Sequence, residues 1–245
     1  MKNLSQRLLH LADMVTEGSV LADIGTDHAY VPIYLLKTGR IRRAFAMDIG
    51  SGPLLRAREH VEAYGLGDYI TLRLSDGAAA LEKGEADSVL IAGMGGGVTL
   101  HILREGEEVI ASAKELILQP QSEMDKVRRY LYEKGYVIDR EDMVLEDGKY
   151  YSMMHIPMDK KKKSPSYAKK EWQMVYRFGE PGFYGGNDVW RSFLLHRERQ
   201  YEEILEKLMR QEGRAVRERR REIKEELSCI RDALEYRKEE RQSDC

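Results

Sequence analysis

Several things are scarce or missing in this 245-residue sequence, and each absence removes a class of answer. Cysteine occurs twice, at Cys229 and Cys245. That is too few and too late for a disulfide framework or a zinc site, and such usage suits a reducing cytoplasm. The six histidines are scattered, so no metal site is expected. No apolar run approaches the ~18 residues of a membrane span. The segment after Met1 lacks the apolar stretch of a secretory leader, so none is expected. Net charge is also small, −2, and the near-balance hides a division. Residues 1–159 carry −7 and residues 160–245 carry +5. The basic part is a candidate for meeting a polyanion, although long exposed helices are also charged simply because they are solvated.

What is present begins with alternation. Leu4, Leu8, Leu11, Ala12 and Val15 recur at helical spacing. Short, almost continuous apolar runs follow at 20–24, 44–47, 70–72, 88–92 and 116–118, with helical patterns between them and Pro53 opening one helix. Runs of that kind predict a parallel sheet covered on both faces. Residues 137–144 and 150–156 then flank Glu146-Asp147-Gly148, and Asp-Gly between two strand patterns is a strong hairpin signal. A mostly parallel sheet closing on an antiparallel hairpin resembles the Rossmann-like class I methyltransferase fold. The expected class is α/β over residues 1–157, with an all-α coiled-coil domain over residues 158–245.

The second domain is read from a change of composition. Four lysines at 160–163 with Ser164-Pro165 read as a linker, and a glycine-rich turn spans 179–186. From Asn187, a candidate N-cap, the pattern is long and helical. Leu194, Tyr201, Leu205 and Leu208 form one seam; Val216, Ile223, Leu227, Ile230 and Leu234 form another, at coiled-coil spacing. Gly213 between them is read as the turn of a helical hairpin, against one continuous helix.

The residues able to carry chemistry cluster where strands end. Asp23, Gly25, Thr26, Asp27 and His28 follow the first strand, where ligands of open α/β sheets bind. A dinucleotide loop needs G-x-G-x-x-G so that phosphates can approach the backbone. Here Asp27 and Ala29 interrupt that pattern, and carboxylates repel phosphate. S-adenosylmethionine, with a sulfonium, an ammonium and no phosphate, suits the charges better than NAD. Asp48 ends the second strand as a candidate acceptor for both ribose hydroxyls, and Asp76-Gly77 ends the third as a candidate acceptor for the adenine amino group. Gly93 and Met94 lie in a glycine-rich turn after the fourth strand, where bare backbone allows close approach. That turn lacks an Asn or Asp followed by Pro-Pro-aromatic, which leans toward a ring nitrogen rather than an exocyclic amine as methyl acceptor. Leu118-Gln119-Pro120-Gln121 ends the fifth strand on the same edge and is read as lining an acceptor pocket.

The stretches 22–32 (ADIGTDHAYVP), 47–49 (MDI), 75–77 (SDG), 91–96 (IAGMGG) and 118–120 (LQP) together resemble the bacterial tRNA (adenine(22)-N1)-methyltransferase family. The resemblance covers nearly all of residues 1–157, and the family's helical coiled-coil domain matches the remainder in kind. It implies S-adenosylmethionine as cofactor, tRNA as partner, and a cofactor site at Asp23, Gly25, Thr26, Asp27, His28, Asp48, Asp76, Gly77, Gly93 and Met94. Tyr30 is read either as a platform for an extruded adenine or as a core tyrosine. His28 is read as a ligand contact or a helix-start residue, and Asp27 as the carboxylate that either stabilises the cationic methylated base or hydrogen-bonds its amino group. Oligomeric state is not legible. The rival reading is a non-catalytic scaffold that joins partner proteins through its coiled coil.

Overall fold

A computed structural model of the chain describes residues 4–158, 167–184 and 187–243. The 160–165 linker reading and Gly185-Gly186 lie outside those residues. The chain divides into two compact units, residues 1–165 and 166–245.

The first unit opens with α1 (Gln6–Met14), whose N-cap Ser5 accepts the Leu8 N–H. Then follow β1 (Ser19–Ile24), α2 (Tyr30–Lys37), β2 (Ile41–Asp48), α3 (Ser51–Ala63), β3 (Ile70–Leu74) and β4 (Ser88–Met94). Next come α4 (Gly96–Glu105), the short α5 (Glu107–Ile110), β5 (Glu115–Pro120), α6 (Met124–Glu133), β6 (Arg140–Glu146) and β7 (Lys149–Pro157). The seven strands form one sheet in the order β3-β2-β1-β4-β5-β7-β6. β1 to β5 are parallel, and β7 runs antiparallel to both β5 and β6. This is the Rossmann-like methyltransferase sheet that the strand pattern predicts.

Burial on both sheet faces explains why the strands read as continuous apolar runs. Leu21, Ala44, Leu90 and Ile117 join one cluster with Leu11 of α1, Leu35 of α2 and Val61 of α3. The alternate residues Ala22, Phe45, Val89 and Leu116 are equally buried. The hairpin turns at Asp147 (φ 48°) and Gly148 (φ 74°), the positive-φ pair that a tight Asp-Gly turn requires. β6 starts at Arg140 rather than residue 137, because the chain from Gly135 buries Tyr136 and Ile138 before joining the ladder. α3 starts at Ser51, so Pro53 falls within its first turn, where a missing N–H costs little.

The second unit holds α7 (Lys169–Phe178), a 3-10 turn (Pro181–Tyr184), α8 (Asp188–Met209) and α9 (Arg214–Ser243). α7 escapes the sequence reading. Asn187 caps α8 as expected, accepting the N–H groups of Val189 and Trp190. The helix breaks before Gly213 (φ 133°), which excludes the single continuous helix. α8 and α9 pair antiparallel: Arg220 donates to the Leu208 carbonyl, and Arg231 bridges Glu198 and Glu202. Leu194, Ile223, Leu227 and Ile230 are buried, while Tyr201, Leu205 and Leu208 are half-buried.

Candidate active site

The carboxyl ends of β1 to β5 share one edge of the sheet, and the chain departs from regular backbone there. After Ile24 it turns at Gly25 (φ 77°). The Gly25 and Thr26 N–H groups both donate to the Met47 carbonyl, at 2.7 and 2.9 Å, tying this turn to β2. Asp27 (φ 51°) and Ala29 (φ 55°) are also left-handed, at roughly 1–2 kcal/mol each for residues with a Cβ. Strain this concentrated persists only where the surroundings enforce it, and such places are commonly functional.

Seven of the candidate residues, Asp23, Gly25, Thr26, Asp27, His28, Asp48 and Met94, are brought together here. Asp23 is buried and accepts the Thr26 hydroxyl at 2.7 Å. Burial pushes its carboxyl up to about 6; the Thr26 bond pulls the other way, and the Asp48 charge adds to the rise. Asp48 accepts the Gly50 N–H at 2.9 Å through Oδ1 and the Asp27 N–H at 3.3 Å through Oδ2. The Asp27 carboxylate is exposed, takes Arg56 Nη2 at 2.9 Å and lies 3.4 Å from His28 Nε2. Met94 of β4 closes on the same turn, since a Cβ on Gly25 would stand 2.0 Å from Met94 Cε.

Tyr30 is not a core residue. Its ring stacks with those of His28 and His60, both at 5.1 Å between centroids, while 41% of the residue stays exposed. His60 Nδ1 lies 3.1 Å from the His28 carbonyl oxygen, so α3 holds the loop from below. Among the described residues, buried His28 Nδ1 has no hydrogen-bond partner. Asp76 and Gly77 stand on the same rim, linked to β2 by the Ser75 N–H bond to the Asp48 carbonyl. Asp76 lines a cavity of about 470 Å³ with His101 and Glu105, and among the described residues it makes no hydrogen bond to Asp23 or Asp48. Gly77 (φ 53°) packs against Ile102. The glycine turn after β4 is closed by Ser122, whose hydroxyl accepts the Gly96 N–H at 3.1 Å.

His60, Arg56 and Arg7 escape the sequence reading, because each reaches the rim from a helix face with no local motif. Gln119, by contrast, is placed at the end of β5 as expected; it is fully buried and accepts Arg7 Nη1 at 2.9 Å. A bare glycine at the turn, a buried acid and a second acid at the next strand end fit a nucleoside carrying positive charge. Among the described residues, no three His, Cys, Asp or Glu side chains are grouped to hold a metal ion, and no helix is long and apolar enough to cross a membrane.

A family model described as a methyltransferase domain matches residues 4–154. The chain belongs to this methyltransferase family. It is 41% identical over 151 residues to the tRNA (adenine(22)-N(1))-methyltransferase of Bacillus subtilis, an alignment taking in 62% of this chain and 63% of that relative. The match thus spans a little under two thirds of that relative's length. The crystal structure of the B. subtilis M1A22 tRNA methyltransferase TrmK superposes with a TM-score of 0.81 at 28% identity, covering 96% of this chain and 100% of that one. A Streptococcus pneumoniae structure in complex with S-adenosyl-L-methionine gives a TM-score of 0.77 at 32% identity, covering 95% and 100%. The methyltransferase family read from the strand-end motifs is the one these relatives carry.

Proposed function

We propose that this chain transfers a methyl group from S-adenosylmethionine to N1 of adenine 22 in tRNA. The observation that carries the reading is the rim itself: Asp23, Asp48 and the bare Gly25 turn gathered at the carboxyl ends of β1 and β2, in a methyltransferase chain. Relatives named for this reaction, and one solved with the donor, support it. When bound, S-adenosylmethionine supplies an electrophilic methyl group on a sulfonium centre.

The chain's own residues then have separable tasks. Gly25 lets the turn take its left-handed backbone and lets Met94 close against it, which shapes the wall the donor lies along. Asp23 takes its ammonium, Asp48 its ribose hydroxyls, and Asp76 with Gly77 its adenine, while Gly93 and Met94 border it on the β4 side. Thr26 and His28 hold the turn's shape. Adenine N1 has an in-plane lone pair, so the acceptor needs positioning more than deprotonation. Tyr30, with its exposed ring braced on His28 and His60, is the platform on which the extruded base stacks. Methylation leaves the base cationic, and Asp27 beside it is the available counter-charge, shared with Arg56. The paired helices of the second unit recognise folded tRNA by shape and backbone charge. With tRNA as substrate, the enzyme works in the cytoplasm.

The decisive experiment incubates the purified protein with labelled donor and two tRNA transcripts, one retaining adenine 22 and one with it replaced. Label should enter the first alone; equal labelling removes the assigned position. Deleting residues 166–245 should spare donor binding and abolish tRNA methylation, and a fully active truncation shows that the second unit is dispensable.

A further inference from the structure

The strand-end residues supply acids, yet the amino-acid end of the donor is a zwitterion. An ammonium is matched by a carboxylate; the α-carboxylate beside it is matched by a cation, best by a guanidinium fork. Arg7 is placed to be that cation. From α1 its side chain reaches the carboxyl ends of β4 and β5, where Nη1 donates to Gln119 Oε1 at 2.9 Å. The guanidinium lies 5.3 Å from the centre of the Tyr151 ring, and a Cβ on Gly93 would come within 3.9 Å of Nη1.

Charge decides between a fastening and a binding role. Among the described residues Arg7 forms no ion pair. Glu146 accepts its backbone N–H at 3.3 Å, not its guanidinium. A bond to a neutral amide and a stack on one aromatic ring would fasten α1 to the sheet, but neither neutralises the charge. They also leave most of the five guanidinium N–H donors unused. Because Gln119 is fully buried, the fork is held in place beside the bare Gly93 backbone.

We infer that Arg7 is the counter-ion for the α-carboxylate of the methyl donor, so that the glycine turns of β1 and β4 lie between an acid and a base. This assignment rests on S-adenosylmethionine being the donor. It is tested by calorimetry with two nucleosides: S-adenosylhomocysteine, which keeps the amino-acid end, and 5′-methylthioadenosine, which lacks it. Arg7→Gln should weaken S-adenosylhomocysteine binding about ten- to hundredfold, leave methylthioadenosine within about twofold, and Arg7→Lys should fall between. Wild-type protein that binds neither nucleoside overturns the donor reading itself. Wild-type affinity for S-adenosylhomocysteine in Arg7→Gln overturns the Arg7 assignment alone, as do equal losses for both nucleosides, which mark a merely structural residue. An unchanged nucleoside affinity with a raised KM for tRNA also overturns it, and assigns the guanidinium to the acceptor's phosphates.

Discussion

Gly25 and Met94 meet so closely that any side chain on the glycine must displace the methionine: a Cβ would stand 2.0 Å from Cε. The methionine tip is flexible and can move aside, so this clash is the smaller part of what Gly25 prevents. The larger part is backbone, because φ at this position is 77°. Gly25→Ala should therefore lower stability by about 1–2 kcal/mol and weaken S-adenosylhomocysteine binding. Adding Met94→Ala makes room without relieving φ, so the double variant should remain as unstable as the single one in urea denaturation. Full recovery would show that crowding, not backbone conformation, requires the glycine.

Asp48 has two tasks that one substitution separates poorly and two substitutions separate well. Its oxygens hold the Gly50 and Asp27 N–H groups, and its assigned ligand bonds are to hydroxyls. Asp48→Ala should reduce S-adenosylhomocysteine affinity about ten- to hundredfold, the scale of hydrogen bonds to a charged acceptor. Asp48→Asn keeps one acceptor oxygen and should lose less. Calorimetric affinities unchanged in both variants would remove Asp48 from the site.

Legibility in the sequence follows the range of the interaction that fixes each feature. Strand ends are local: an apolar run, then an acid, then a glycine, so Asp23, Asp48 and Asp76 could be named with the sheet edge they share. The hairpin is legible because Asp-Gly is one of the few pairs that readily adopt positive φ at both central positions of a two-residue turn, as Asp147 and Gly148 do. Arg7 and Gln119 are 112 residues apart, and His60 and His28 are 32 apart; no window of sequence contains either pair. α7 stayed hidden because its buried stripe is only Met174, Val175 and Phe178, among charged and aromatic neighbours. The cavity that Asp76 lines with His101 and Glu105 depends on where α4 packs, which the strand-end pattern does not encode.

Asp23 should make donor binding depend on pH. Its carboxyl titrates at about 6 in the fold against 3.8 for an ordinary aspartate, so the native state holds its proton more tightly than the unfolded chain. Stability from this group is then greatest at low pH and falls as pH rises from about 4 to 6, by about 3 kcal/mol. An ammonium, however, binds the ionised form. S-adenosylhomocysteine affinity should drop about tenfold between pH 7 and pH 5 in the wild type. In Asp23→Asn it should be weak and flat, and that variant should be more stable than wild type at pH 8. A wild-type affinity that does not change across this range would remove Asp23 as the ammonium partner.

At the opposite edge of the sheet, Glu115 opens β5 and tests stability without touching the site. Burial would raise its carboxyl, but bonds from His155, Ser88 and Thr16 outweigh burial and hold it at about 2. For His155, burial acts to lower the imidazole, and its bonds to Glu115 and Asp139 prevail and raise it. A depressed acid stabilises the fold above the usual carboxylate range and ceases to as pH falls toward 2. A raised imidazole stabilises it below 6.5 and ceases to as pH climbs past its folded value. The two overlap between about pH 4.5 and 6.5. His155→Gln should cost about 2 kcal/mol there, measured by denaturant unfolding, and less at pH 3 and at pH 9. Donor affinity should not change, because the pair lies at the amino end of β5. A cost that stays constant from pH 5 to pH 9 would mean that His155 contributes through packing and neutral hydrogen bonds, with no imidazolium in the pair.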